Sequence, residues 1–169
     1  APYVFLFGQR FDARMLRFVR AVTDGQYRYI RNFNPHRHRG ILAGYPHSQS
    51  GWRSFYALQQ AGKTDAAQSS FWKVPQPVEE LYDTQNDPWE VANLAGDPAH
   101  AKRLETMRAA TFEIMKDIRD TGLVPEAMYN QISEKGTVYD YVHNKNFPYE
   151  KVLELAVTAC DGDVQALSE

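Results

Sequence analysis

The chain of 169 residues has the size and composition of one globular domain, with room for a short appendage. Hydrophobic residues make up 43% of it, and no stretch approaches the ~18 consecutive apolar residues that a membrane-spanning helix needs. The single cysteine, Cys160, excludes a disulfide within the chain and any zinc site built on several cysteines.

The net charge of −2 conceals an uneven distribution. Residues 10–39 contain eight arginines, no lysine and two aspartates, which gives +6, whereas residues 40–169 carry −8. Arginine without lysine favours bidentate pairing with carboxylates, phosphates or sulfates. Two interpretations stay open. The arginines bind an anionic ligand, or they pair internally with the acidic run 79–97, which has six carboxylates and no basic residue.

The first part of the chain predicts strands. The apolar run at 3–8 is typical of a buried strand, and Asp24-Gly25 between alternating runs at 15–22 and 27–33 is a strong hairpin signal. The next segment, 34–52, is predicted to be a loop, because proline and glycine interrupt it repeatedly. A period of two places four side chains on one face of the second hairpin strand: Tyr27, Tyr29, Arg31 and Phe33.

Helical patterns dominate the rest. Helices are predicted at 52–62, 64–72 with Thr64 as N-cap, 98–121, 125–136 and 147–163, with one strand at 80–83. Asp97-Pro98 opens the longest helix, which Gly122 ends. Its predicted core stripe is Leu104, Met107, Thr111, Ile114 and Ile118.

No self-sufficient active site is visible. The sequence has no P-loop, no Gly-x-Gly-x-x-Gly or Gly-x-Ser-x-Gly motif, and no His-Glu-x-x-His. The pair His36/His38 has the spacing to chelate a metal from an extended segment, but no carboxylate lies nearby in sequence. Arginines interleaved with aromatic residues are compatible with nucleic-acid binding. The pI of about 6.2 and the lack of an RNP motif argue against it.

Three segments, in order, resemble the sulfatase family. They are VRAVTDGQYRYIRNFNP (19–35), GKTDAAQSSFW (62–72) and EELYDTQNDPWEVANLAGDP (79–98). The second segment is most similar to N-sulfoglucosamine sulfohydrolases. The resemblance implies the C-terminal subdomain of a sulfatase within the alkaline-phosphatase-like superfamily. Its fold would be α+β, an antiparallel sheet of about four strands with a long helix packed on it, followed by additional C-terminal helices.

The resemblance also suggests a domain division. Residues 1–125 would form the sulfatase C-terminal subdomain, docked on a much larger N-terminal catalytic domain of the same polypeptide. Residues 126–169 would form a helical extension, either the start of a helical repeat region or a terminal helix that packs back. The N-terminal stretch lacks the basic segment of a signal peptide, so we expect any targeting signal upstream; a periplasmic or secreted parent protein is compatible with this.

The chain departs from the family pattern at its catalytic residues. Sulfatases carry a Cys/Ser-x-Pro-x-Arg signature, whose Cys or Ser becomes formylglycine, and aspartate pairs that hold calcium. Neither is present here, since Cys160 precedes Asp-Gly-Asp. The calcium and formylglycine are therefore implied for the catalytic domain and not for this chain, which would not hydrolyse a sulfate ester or sulfamate alone.

The loop NPHRHRG, residues 34–40, supplies the candidate site. If it borders the catalytic pocket, it would help bind sulfate or uronate groups of a sulfated carbohydrate. An equally open interpretation is that the loop is solvated or pairs with carboxylates of the catalytic domain. We expect no nucleic-acid or membrane partner. The alternative is a free-standing arginine-rich module that binds sulfated glycans or nucleic acid. The candidate substrate-binding residues are His36, Arg37, His38, Arg39, Arg10 and Arg14.

Overall fold

A computed structural model of the chain describes residues 2–10, 16–40 and 44–162. Within these ranges four strands form one antiparallel sheet in the order β1-β2-β3-β4. The predicted α+β fold is confirmed, as is the sheet of about four strands with a long helix. The strands are β1 (Val4–Arg10), β2 (Leu16–Thr23), β3 (Tyr27–Asn32) and β4 (Glu79–Asp83).

The predicted hairpin joins β2 to β3. Asp24 shapes the turn, because its Oδ1 accepts hydrogen bonds from the backbone N–H of Gln26 at 3.0 Å and of Tyr27 at 2.7 Å. Gly25 takes a φ of 97°, which glycine adopts without strain. On the other side of β3, Tyr29 pairs with Leu81 in β4, so a strand about fifty residues away completes the sheet.

Seven α-helices lie within the described ranges. They are α1 (Gly44–Ser48), α2 (Ser50–Gln60), α3 (Ala66–Ser70), α4 (Ala101–Asp117), α5 (Tyr129–Ser133), α6 (Val138–His143) and α7 (Tyr149–Asp161). The prediction of a loop over 34–52 was wrong at its end, which holds α1 and the start of α2. The N-cap of α3 is Asp65 and not Thr64, since Asp65 accepts from Gln68 N.

The long helix α4 is shorter than predicted. A 3-10 turn at Pro98–His100 precedes it, with Asp97 accepting from Ala99 N at 2.9 Å, and α4 ends at Asp117 rather than near Gly122. Ile118 follows the helix and is 48% exposed, so its predicted place in the core stripe was wrong. The buried stripe is Leu104, Met107, Thr111 and Met115.

Two hydrophobic clusters hold α4 and the segments that follow it on one face of the sheet. The first joins side chains of β2, β3 and β4 to Leu104 and Met107 of α4. The second surrounds Phe33 and Met115 and includes Leu123, Ile132 and Leu153 from the segments after α4. The described part of the chain after residue 120 therefore shares a core with the sheet. The division into domains at residue 125 stays a prediction.

The last helix is attached to the sheet by polar contacts as well. Nη2 of Arg31 donates to the carbonyl oxygen of Val157 at 3.1 Å and to the carboxylate of Asp161 at 2.8 Å. The thiol of Cys160 donates to the carbonyl oxygen of Phe33 at 3.3 Å. Among the described helices, none has the length and apolar character that crossing a bilayer requires.

Candidate functional site

The loop 34–40 leaves β3 and is anchored to the segment that leads into β4. The backbone N–H of Gln76 donates to the carbonyl oxygen of Pro35 at 2.7 Å, and that of Arg39 donates to Phe71 at 3.0 Å. A turn within the loop is closed by Arg37 N and Asn34 O, 3.1 Å apart. Hydrogen bonds thus hold this loop at both ends, which lowers the entropy that its side chains lose when they bind a ligand.

Gly40 fixes the end of the loop through a close approach. Its backbone is buried against the indole ring of Trp72, and a Cβ at this position would lie 1.9 Å from Cζ3 of that ring. Only glycine fits there without displacing the indole. Trp72 in turn packs among aromatic side chains of α2, so the α1–α3 segment supports the loop.

Arg39 is paired with a buried carboxylate. Its Nη2 donates to Oε2 of Glu80, which is 1% exposed. Glu80 also accepts from Nδ2 of Asn32 at 2.7 Å and from the hydroxyl of Tyr82. These donors satisfy the buried carboxylate, and they hold Arg39 in place at the base of the loop.

The same contacts change the proton affinities of the group. Burial, the largest single effect, lowers the pKa of Arg39, but the hydrogen bond to Glu80 and the negative charge of Glu80, with a smaller contribution from Tyr82, together raise it above its usual value. Burial and the neighbouring carboxylate of Glu80 both raise the pKa of Tyr82. Arg39 therefore stays cationic and Tyr82 stays a hydrogen-bond donor throughout the physiological range.

The other predicted site residues differ in their surroundings. His36 and Arg37 are exposed, and His38 is half-buried with its ring 5.5 Å from that of Trp72. Arg10 is the last residue of β1 and pairs with Leu16 in the sheet register. Arg14 lies outside the described residues.

Arg17 joins the loop and was missed by the sequence reasoning. It lies in β2, and together with Arg37 and Arg39 it lines a cavity of about 10 Å³, enough for roughly one water molecule. Burial and then repulsion from Arg39 lower its pKa, although Glu80 acts in the opposite direction. The period of two along β2 was the available signal, since it places Arg17 on the sheet face opposite Arg20.

Most of the remaining arginines of the hairpin pair internally. Arg20 binds Asp120, Arg28 binds Glu90 with an N–O distance of 2.7 Å, and Arg31 binds Asp161. Three ion pairs connect the hairpin and its loop to the acidic run 79–97: Arg28 with Glu90, Arg31 with Glu79 at 3.9 Å, and Arg39 with Glu80. This agrees with the interpretation that the arginines pair internally. Arg17 and Arg37 make no ion pair with any residue that the structure describes.

The described residues do not form a catalytic centre of the sulfatase type. No three His, Cys, Asp or Glu side chains of these ranges lie close enough together to hold a metal ion. Cys160 is half-buried, and burial raises the pKa of its thiol, which disfavours the nucleophilic thiolate. We therefore derive no chemical step from this chain.

Comparison with known proteins identifies relatives of this chain by sequence. Two curated proteins that match are both named ulvan-active sulfatase, from Formosa agariphila. One is 30% identical over 125 residues, covering 74% of this chain and 21% of the relative; the other is 34% identical over 107 residues, covering 63% and 18%. The chain is related to sulfatases. No protein-family model matches it.

The extent of these matches also limits what they show. The chain spans about a fifth of the length of the two sulfatases. Their relationship to it supports the sulfatase resemblance seen in the sequence motifs. The similarity to N-sulfoglucosamine sulfohydrolases in particular stays a prediction.

Proposed function

We propose that this chain is the non-catalytic C-terminal part of a sulfatase-type hydrolase, and that it helps bind the anionic groups of a sulfated carbohydrate. One observation carries the binding role. Arg17 and Arg37 line the same cavity, and neither makes an ion pair with a described residue. Both guanidinium groups are therefore available to an anion at the mouth of this cavity.

The local charge favours an anion. Three arginines, Arg17, Arg37 and Arg39, line the cavity, and one carboxylate, that of Glu80, is paired with Arg39, so the group carries about +2. Guanidinium groups bind the oxygens of sulfates and carboxylates in a bidentate manner. In this proposal Arg37 and Arg17 contact the anion, while Arg39, held by Glu80, positions the loop and adds positive potential.

The other candidate residues enter with narrower roles. His36 is exposed beside Arg37, and His38 packs on Trp72. We assign to each of these histidines a hydrogen bond to a sugar hydroxyl. Arg10 and Arg14 stay candidates from the sequence. The formylglycine nucleophile and the calcium ion would belong to the catalytic domain, which we propose precedes this chain.

We further propose that the catalytic domain docks on the sheet face opposite α4. Val4 of β1 alternates onto this face and is 61% exposed. Trp89, in the turn after β4, is 85% exposed. Its neighbour Glu90 forms an ion pair with Arg28, which brings this turn towards the same face. The matched segments make up only about a fifth of each relative, and in this proposal the remaining four fifths include the domain that covers these side chains.

The first test is the coding sequence upstream of Ala1. A Cys/Ser-x-Pro-x-Arg motif preceded by an aspartate pair would support the proposal. A start codon directly before Ala1 with no catalytic domain would contradict it and favour the free-standing binding module.

The second test is the kinetics of the full-length protein. R37A and R17A should each raise KM for a sulfated oligosaccharide by about 10- to 100-fold, since a charge-assisted hydrogen bond contributes roughly 1.5–3 kcal/mol. The rate constant kcat should change less, because these residues lie outside the reacting centre. K63A, which removes an exposed cation from the turn after α2, is the matched control. An unchanged KM in both arginine variants would contradict the binding role.

The free-standing module is less well supported by the structure. It depends on an arginine-rich surface, yet Arg20, Arg28, Arg31 and Arg39 are engaged by carboxylates of the same chain. Paired arginines contribute little to counterion release, which drives binding to nucleic acids and to highly charged glycans.

A further inference from the structure

A groove of about 530 Å³ lies beside the cationic cavity. One wall is formed by the ends of β2 and β3, where the rings of Phe18 and Phe33 stack with centroids 4.3 Å apart. The opposite wall is formed by the segment from Gly122 to Tyr129 and by α7, which contributes Ala156 and Ala159. This volume lies within the range of known small-molecule sites.

The groove and the cavity are adjacent and share two lining residues. Phe18 and Asn34 line both of them. Oδ1 of Asn34 accepts from the backbone N–H of Phe18 at 2.8 Å, which fixes the side chain at the junction. Its Nδ2 makes no hydrogen bond with a described residue, so two N–H donors are available where the cavity meets the groove.

The lining of the groove has the chemistry that sugars require. A pyranose ring has an apolar C–H face, which packs on aromatic side chains, and a hydroxyl edge, which needs donors and acceptors. Phe18 and Tyr129, which are half-buried, supply aromatic surface, and Asn34 supplies the donors. Among the described residues that line the groove, Glu126 carries the one charged side chain, so these residues do not extend the positive charge of Arg17 and Arg37.

We infer that the groove binds the sugar unit adjoining the anionic unit held by Arg17 and Arg37, so that the substrate is an oligosaccharide chain rather than a monosaccharide. This inference rests on the proposed function and adds a second subsite to it. The small side chains of Ala156 and Ala159 keep the groove open on the α7 side.

The test compares two substrates in the full-length protein that contains this chain. They are a sulfated monosaccharide released from ulvan and the ulvan disaccharide that carries the same sulfated sugar. For the unmodified protein kcat/KM should be about tenfold or more higher for the disaccharide, the scale of one apolar group placed in a fitted site. A159F, which fills the groove from the exposed side of α7, should abolish this difference by lowering kcat/KM for the disaccharide to about the value for the monosaccharide.

Two controls separate the possible outcomes. A109F places the same side chain on an exposed position of α4 and should keep the preference for the disaccharide. R37A should lower kcat/KM for both sugars, because it acts at the anion. If R37A has that effect and A159F has none, the groove is not a sugar subsite and the proposed function stands alone.

Further outcomes overturn the inference directly. If A159F lowers the melting temperature more than A109F does, the groove is part of the internal packing of the protein. If the unmodified protein releases sulfate from neither sugar, this substrate class is wrong, and the inference fails with it.

Discussion

Arg20 and Asp120 are a hundred residues apart in sequence and form a buried bidentate ion pair. Nε and Nη2 of Arg20 donate to both carboxylate oxygens of Asp120, the second at 2.8 Å, and the two residues are 2% and 8% exposed. Asp120 also accepts from Gly122 N at 2.9 Å. The pair therefore connects the centre of β2 to the turn after α4 and orients the segment that forms one wall of the groove.

Removing one partner of this pair should destabilise the protein strongly. R20A or D120A would leave an uncompensated buried charge, and each should lower the free energy of unfolding by about 3–5 kcal/mol. Denaturant unfolding measures this. K116A, which removes the exposed pair between Lys116 and Glu113, should cost less than about 1 kcal/mol. A similar small cost in all three variants would contradict the structural role of the buried pair.

Gly40 should tolerate no side chain. G40A would place a Cβ at 1.9 Å from the indole of Trp72, and displacing that ring should cost about 1–3 kcal/mol. G51A is the matched control, because Gly51 lies in α2 with open space around it and should gain up to about 1 kcal/mol. Thermal unfolding should show a lower melting temperature for G40A and a higher one for G51A. Equal melting temperatures would mean that the loop does not pack on Trp72.

Glu79 should make stability depend on pH in the acidic range. Burial alone would raise its pKa, but hydrogen bonds from Arg108 and Tyr29, each at 2.6 Å, hold the pKa below its usual value. A depressed folded-state pKa contributes stability above the unfolded-state pKa, and this contribution is lost as the pH falls below about 4.5 and through the folded-state value.

E79Q should therefore flatten the acidic limb of the stability curve. At pH 7 it should be about 1.5–3 kcal/mol less stable than the unmodified chain, the scale of a hydrogen bond to a charged group. Urea unfolding between pH 7 and pH 3 provides the comparison. E113Q, at an exposed site on α4, should keep the slope of the unmodified chain. Identical slopes for E79Q and the unmodified chain would contradict this assignment.

Retention on heparin should be weak. Of the hairpin and loop arginines, Arg17 and Arg37 have no ion pair among the described residues. The chain should therefore elute from heparin below about 0.15 M salt, the concentration at which the Debye screening length is ~8 Å. R37A should elute earlier still, and K63A should not. Retention to high salt that several arginine substitutions reduce together would favour the free-standing binding module.

The isolated chain should self-associate through its proposed docking face. Val4 and Trp89 are exposed there, and burying them against a second copy removes apolar surface from water. Sedimentation should show an average mass that rises with concentration, and V4K combined with W89S should suppress the rise. Y139S removes a comparably exposed aromatic from α6 and should not. A monomer at all concentrations would contradict this role for the face.

The strands and their faces were predictable because their signals are local. The Asp24-Gly25 turn and the period of two in β3 depend on neighbouring residues, and the structure confirms both. Asp97-Pro98 also predicted where the helical segment begins, although its first turn, Pro98–His100, is a 3-10 turn and α4 begins at Ala101. The end of α4 was not predictable, because no residue between Asp117 and Gly122 gives a strong local stop signal, and the chain leaves the helix at Arg119 with a positive φ of 46°.

The tertiary structure decided which arginines form ion pairs. The sequence by itself determined that eight arginines are concentrated in residues 10–39 and that segments resembling sulfatases lie within and after this stretch. It left open which guanidinium groups are available, because their partners lie far along the chain: Glu80 is 41 residues from Arg39, Asp120 is 100 from Arg20, and Asp161 is 130 from Arg31. Only the folded arrangement brings those carboxylates to some arginines and leaves Arg17 and Arg37 without an ion pair among the described residues. The reason is that ion pairing depends on distance in space and not on separation in sequence.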